Sequence, residues 1–81
     1  MSSTLDLEVF VRTADTGSLS AAARSLNLTP AAASIALKRL ETRLGIRLLA
    51  RSTRSMRLTE EGRRYLDSVR VALEALAEGE Q

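Results

Sequence analysis

Apolar positions in this 81-residue chain follow a helical rhythm, broken once by a short stretch of a different period. Leu7, Phe10, Val11 and Ala14 recur at spacings of three and four, which predicts a first amphipathic helix over about residues 4–15. Thr16-Gly17 ends it. Ser18 can cap a second helix, because its hydroxyl accepts an orphan backbone N–H. There Leu19, Ala22, Ala23 and Leu26 repeat as i, i+3, i+4 and i+7, and the run Ala21–Ala23 lets a neighbouring helix approach closely. Asn27-Leu28 reads as a short turn with its apolar residue tucked inward. Thr29 is a good N-cap, and Pro30 at the first helical position forfeits no bond, since that N–H had no partner. The third helix should run to about Leu44, bury Ala33, Leu37, Leu40 and Leu44, and stop at a left-handed Gly45.

After Gly45 the period shortens. Arg47-Leu48-Leu49-Ala50-Arg51 and Met56-Arg57-Leu58 predict two short strands, with Ser52-Thr53-Arg54-Ser55 as the polar tip between them. Thr59 caps a final helix whose first residues, Glu60 and Glu61, suit its positive end. Leu66, Val69, Leu73 and Leu76 then step by three, four and three, like the a/d seam of a coiled coil. The polar tail Glu78 to Gln81 is expected to fray. The expected fold is mainly α: three helices, a short two-stranded hairpin and a long last helix.

Composition narrows the chemistry. A chain of this length buries only ~60% of its unfolded surface, so its core is marginal and often leans on a partner. Phe10 and Tyr65 are the only aromatics, which leaves an aliphatic core. There is no cysteine and no histidine, which removes disulfides, thiolate metal sites and the commonest acid–base residue. No nucleophile–base pair, metal cluster or phosphate-cradling glycine loop is present, so no enzyme and no cofactor is expected. With no apolar run long enough to span a membrane and no leader, the expected location is cytoplasmic.

Charge changes the picture more. The net charge is only +2, yet Lys38, Arg39, Arg43, Arg47, Arg51, Arg54 and Arg57 face the single acid Glu41 within residues 38–57. A concentrated positive patch on a nearly neutral body is the footprint of a polyanion binder, although a charge run can also be a solvated face. At about 100° per residue, Ala31, Ile35, Lys38, Arg39 and Thr42 point away from the buried stripe. Small Ala31 and Ala32 would let the N-terminal end of the helix enter a major groove, with Lys38 and Arg39 meeting phosphates farther along. Ile35 is either an ordinary exposed apolar residue or a contact for a thymine methyl. Ser18, Ser20, Thr29 and Ser34 can satisfy local backbone groups, which is compatible with phosphate contacts. Arg51, Thr53 and Arg54 sit at the proposed hairpin tip, within reach of a minor groove or its phosphates.

The chain resembles the N-terminal DNA-binding domain of LysR-type transcriptional regulators, a bacterial winged helix-turn-helix family. The residues that carry the resemblance begin with Phe10-Val11, Gly17-Ser18-Leu19-Ser20-Ala21-Ala22-Ala23 and Leu26. They continue through Leu28-Thr29-Pro30, Ser34, Leu40-Glu41, Leu44-Gly45, Leu48-Leu49, Arg51, Thr53-Arg54 and Leu58-Thr59 to Gly62. Each piece is weak alone, but the ordered set covers nearly the whole chain. Leu49 stands where phenylalanine is usual, Ile35 where a basic or polar residue is common, and Ala31 where serine or proline is common. The family's base contacts therefore do not transfer to Ala31 and Ile35.

The resemblance implies a winged helix-turn-helix over residues 1–58 and a linker or dimerisation helix over 59–81. It places recognition helix 30–44 in the major groove of a dyad-related promoter site and basic wing 50–57 at the minor groove or phosphates. It also implies an inducer-binding regulatory domain absent from these residues, and a homodimer through the linker helix, with a tetramer open to the full-length protein. The seam at Leu66, Val69, Leu73 and Leu76 points independently to self-association, while folding back onto the domain is the alternative. A protein-interaction module with an incidental basic patch is the other class of function that these features allow.

Overall fold

The computed structural model describes residues 4–51 and 56–79. Within them lie α1 (Thr4–Thr16), α2 (Leu19–Ser25), α3 (Pro30–Leu44), β1 (Leu49–Arg51), β2 (Met56–Leu58) and α4 (Glu60–Gly79). Local chemistry sets these bounds. The Ala21 N–H donates to Ser18 Oγ at 3.1 Å, and the Ala32 N–H donates to Thr29 Oγ1 at 3.1 Å, so both capping side chains take up a donor that helix geometry leaves over. Asn27 turns the chain between α2 and α3 at φ 58°, and the Leu28 N–H closes that turn on Ala23 O at 2.8 Å. Gly45 ends α3 at φ 72°, in the left-handed region that costs a side-chain-bearing residue about 1–2 kcal/mol.

Helices α1, α2 and α3 pack on one another around Val9, Phe10, Ala23, Ala33, Ala36, Leu37 and Leu40, and Leu48 and Leu49 extend this cluster under the hairpin. Buried alanines on α2 and α3 let the two axes approach closely. The strands pair antiparallel in the register Leu49↔Leu58, Ala50↔Arg57, Arg51↔Met56. Arg47 and Leu48, which the pattern put in the first strand, form the approach to it instead. There the backbone is held by α3: Glu41 Oε2 accepts the Leu48 N–H at 2.8 Å and the Leu49 N–H at 3.3 Å.

The buried face of α1 is broader than the expected stripe, whose four residues all belong to the core or pack against it. Asp6, Val9, Phe10 and Thr13 are buried, while Leu7, Val11 and Ala14 are half-buried. This helix is covered by α2 and α3 on one flank and by α4 on another, so its covered face is broad and admits two polar residues. Both are satisfied: Thr13 Oγ1 donates to Val9 O at 2.7 Å, and Asp6 is held by an arginine of α3.

Helix α4 begins as part of the core. Leu66 is 7% exposed and Val69 is 3% exposed, so half of the a/d seam is used inside the chain, as folding back onto the domain requires. Tyr65 sits 5.9 Å from Phe10, ring centre to ring centre, and Arg70 Nη2 donates to Asp15 Oδ1 on α1. The element boundary between β2 and α4 is thus not a boundary in packing. Beyond Leu73 the helix leaves the body, and Leu76 is 55% exposed. The fray expected from Glu78 is not seen at Glu78 or Gly79, which α4 includes, and residues 80 and 81 lie outside the described ones.

Candidate nucleic-acid interface

The outer face of α3 takes the arrangement its wheel predicts. Ala31, Ile35, Lys38, Arg39 and Thr42 are exposed, Ala32 and Ser34 are half-buried at the edges, and Ile35 keeps 61% of its surface in contact with solvent. Ala31 and Pro30 leave the N-terminal end of the helix slim. Ser20 is exposed on α2, while Ser18 and Thr29 have committed an oxygen lone pair to their caps. A hydroxyl that accepts one bond still has a proton to donate, so capping does not remove these groups from contact with a phosphate.

Between α3 and the hairpin lies an open groove of about 490 Å³, lined among others by Lys38, Glu41, Thr42, Arg47 and Arg51. Its acid is already occupied by the Leu48 and Leu49 N–H groups. Three cations therefore dominate the groove wall. Arg47 was not singled out from the sequence as a site residue, yet it faces this groove with Lys38 and Arg51. Its position follows from Thr59, whose Oγ1 donates to Arg47 O at 2.5 Å and accepts the Gly62 N–H at 2.9 Å. One threonine thus ties the approach of β1 to the start of α4. Thr53 and Arg54, placed at the tip by sequence, lie outside the described residues.

Arg39, expected to meet phosphates, is also paired within the domain. Its Nε donates to Asp6 Oδ2 at 2.9 Å and its Nη2 to Asp6 Oδ1 at 2.7 Å, a side-on fork across to α1. Asp6 is 0% exposed and the Arg39 side chain 56% exposed. Hydrogen bonding to Asp6, and then the carboxylate's charge, raise the guanidinium further above its ordinary value. Nothing local in the sequence links these positions, 33 residues apart. The available signal was an acid on the apolar face of α1, one turn before Val9 and Phe10.

The family model described as "Bacterial regulatory helix-turn-helix protein, lysR family" matches residues 5–63. The chain belongs to the LysR family. It is 43% identical over 75 residues to the HTH-type transcriptional regulator CrgA of Neisseria meningitidis, a match covering 93% of this chain and 25% of that protein. Among solved structures, the CbnR_DBD–DNA complex superposes with a TM-score of 0.90 at 31% identity, covering 95% of this chain and 88% of that one. The BenM_DBD/benA site 1 DNA complex gives 0.89 at 28% identity, covering 94% and 85%. The four helices and two-stranded wing are therefore the winged helix-turn-helix of this family. The chain spans about a quarter of the length of CrgA. No helix among the described residues is long and apolar enough to cross a membrane.

Proposed function

We propose that this LysR-family domain binds duplex DNA sequence-specifically as part of a transcription regulator, with α3 in the major groove and wing 50–57 at the minor groove or the flanking phosphates. The observation that carries this reading is the outer face of α3. An exposed line of Ala31, Ile35 and Thr42 is slim enough for a groove, and Lys38, Arg47 and Arg51 stand beside it where a phosphate strand would run. The related CbnR_DBD and BenM_DBD domains hold DNA in their complexes, which supports the same partner here.

Two copies joined through the free end of α4 would present two recognition helices to a dyad-related site. The half of the seam left for that contact is Leu76, with half-buried Leu73 beside it. A protein-interaction module is the second reading, favoured by the same exposed Leu76.

Titration with a duplex at several salt concentrations separates the two. Contact with about 6 phosphates gives a log–log slope near −5. Arg51→Ala should weaken all sequences alike and reduce the slope by ~1. A salt-independent affinity, or no affinity, sinks the DNA reading.

A further inference from the structure

The Asp6–Arg39 fork is more than a strut between α1 and α3. Of the five guanidinium N–H groups, one on Nε and one on Nη2 go to Asp6, which leaves three on the outward edge of a half-exposed side chain. Asp6 is itself fully buried on α1, so the fork is fixed to the body of the domain. Relative to Ile35 at the centre of the outer face, Lys38 lies at about −60° and Arg39 at about +40° around the helix. The two cations thus flank Ile35 on opposite sides. A helix seated in a major groove about 12 Å wide has a phosphate ridge on each side. Lys38, Arg47 and Arg51 line the groove beside the wing, and Arg39 lies on the other flank of the helix.

We propose that Asp6 is a positioning residue for DNA binding: it holds the Arg39 guanidinium edge outward against the phosphate strand on the side of α3 opposite the wing. The inference rests on the DNA-binding reading above. It assigns a contribution to a buried acid that makes no contact with DNA. An unrestrained arginine must be ordered on binding, at a cost of about 2- to 10-fold in affinity. An arginine already forked to a fixed carboxylate is ordered in advance.

The test turns on sign. Asp6→Asn removes a negative charge from a DNA-binding domain, so Coulomb attraction alone makes it bind tighter. The positioning account requires the opposite. Native protein, Asp6→Asn, Arg39→Ala and the double variant would be titrated with one short mixed-sequence duplex across a salt series, after thermal melts establish that each is folded. Arg39→Ala should weaken binding and reduce the salt slope by ~1 per bound copy. Asp6→Asn should weaken binding about 2- to 10-fold and cause no further loss in the Arg39→Ala background.

Tighter binding by Asp6→Asn, unchanged binding, or an equal effect in both backgrounds overturns the proposal. Should Asp6→Asn not fold, Arg39→Lys decides, since it leaves a cation beside the buried carboxylate. It keeps the charge but cannot fork, so the native slope with weakened affinity is expected, and full native affinity overturns the proposal. Failure of the DNA reading itself is distinguishable, because the native protein would then show no salt-dependent binding.

Discussion

Replacing Gly62 with alanine separates two opposing effects that the structure sets against each other. A Cβ at this position would lie 2.1 Å from Leu48 O, 2.9 Å from Leu48 C and 3.1 Å from Leu48 Cα, all of them backbone atoms. Ordinary contact begins at 3.4 Å, so the two segments must part by about 1.3 Å. The Leu48 peptide has little freedom to move: its N–H is held by Glu41 at 2.8 Å, and its oxygen accepts the Thr59 N–H at 3.0 Å. Overpacking of this kind costs about 1–3 kcal/mol, and losing the Thr59 bond adds about 1–3 kcal/mol if the groups stay buried. Against this, alanine in a helix is favoured over glycine by about 1 kcal/mol. The net expectation is a loss of about 3 kcal/mol, which lowers Tm by roughly 12–24 °C in a domain of this size. Thermal unfolding followed by far-ultraviolet circular dichroism reads this directly. A variant as stable as the native protein, or more stable, would show that helix propensity governs the site and that the close approach is not real.

Other consequences can be measured separately. Glu41→Gln keeps one acceptor oxygen but removes the charge that gathers the Leu48 and Leu49 N–H groups, and a loss of about 1–2 kcal/mol in denaturant unfolding is expected; no change would mean that the carboxylate is not holding the hairpin. Ile35→Ala should leave stability within about 0.5 kcal/mol, because the side chain is exposed, while altering preference at particular thymines. Identical affinity after uracil replaces each site thymine would dispose of the methyl contact. Leu76→Lys should yield monomers by sedimentation with an unchanged melt, whereas a charge at Val69 should unfold the chain, since Val69 is buried in it. A dimer that survives Leu76→Lys would move the proposed interface elsewhere.

The parts of this structure legible in sequence are those set by local chemistry. Thr29-Pro30 and Gly45 bracket α3 where the pattern put its ends, and the sorting of Ala33, Leu37 and Leu40 from Ala31, Ile35 and Lys38 follows from helical period alone. Helix α4 shows where that period stops informing. Periodicity identifies an apolar face but not what covers it, and Leu66 and Val69 are covered by the chain itself. The roles of Asp6 and Gly62 are hidden for a related reason: an acid that pairs 33 residues away and a glycine needed by another segment's carbonyl leave no periodic trace. The basic patch includes Arg47, but its place in the groove is not legible, because that depends on the Thr59 bond to its carbonyl oxygen.

Methylation interference on duplexes selected by this domain from a random pool tests the central claim most directly, because guanine N7 lies in the major groove and adenine N3 in the minor groove. Seating α3 in the major groove with the wing alongside predicts interference at N7 over the centre of each half-site, with adenine N3 effects confined to the flank the wing reaches. Interference at N3 alone, or at no base in any selected duplex, would contradict it.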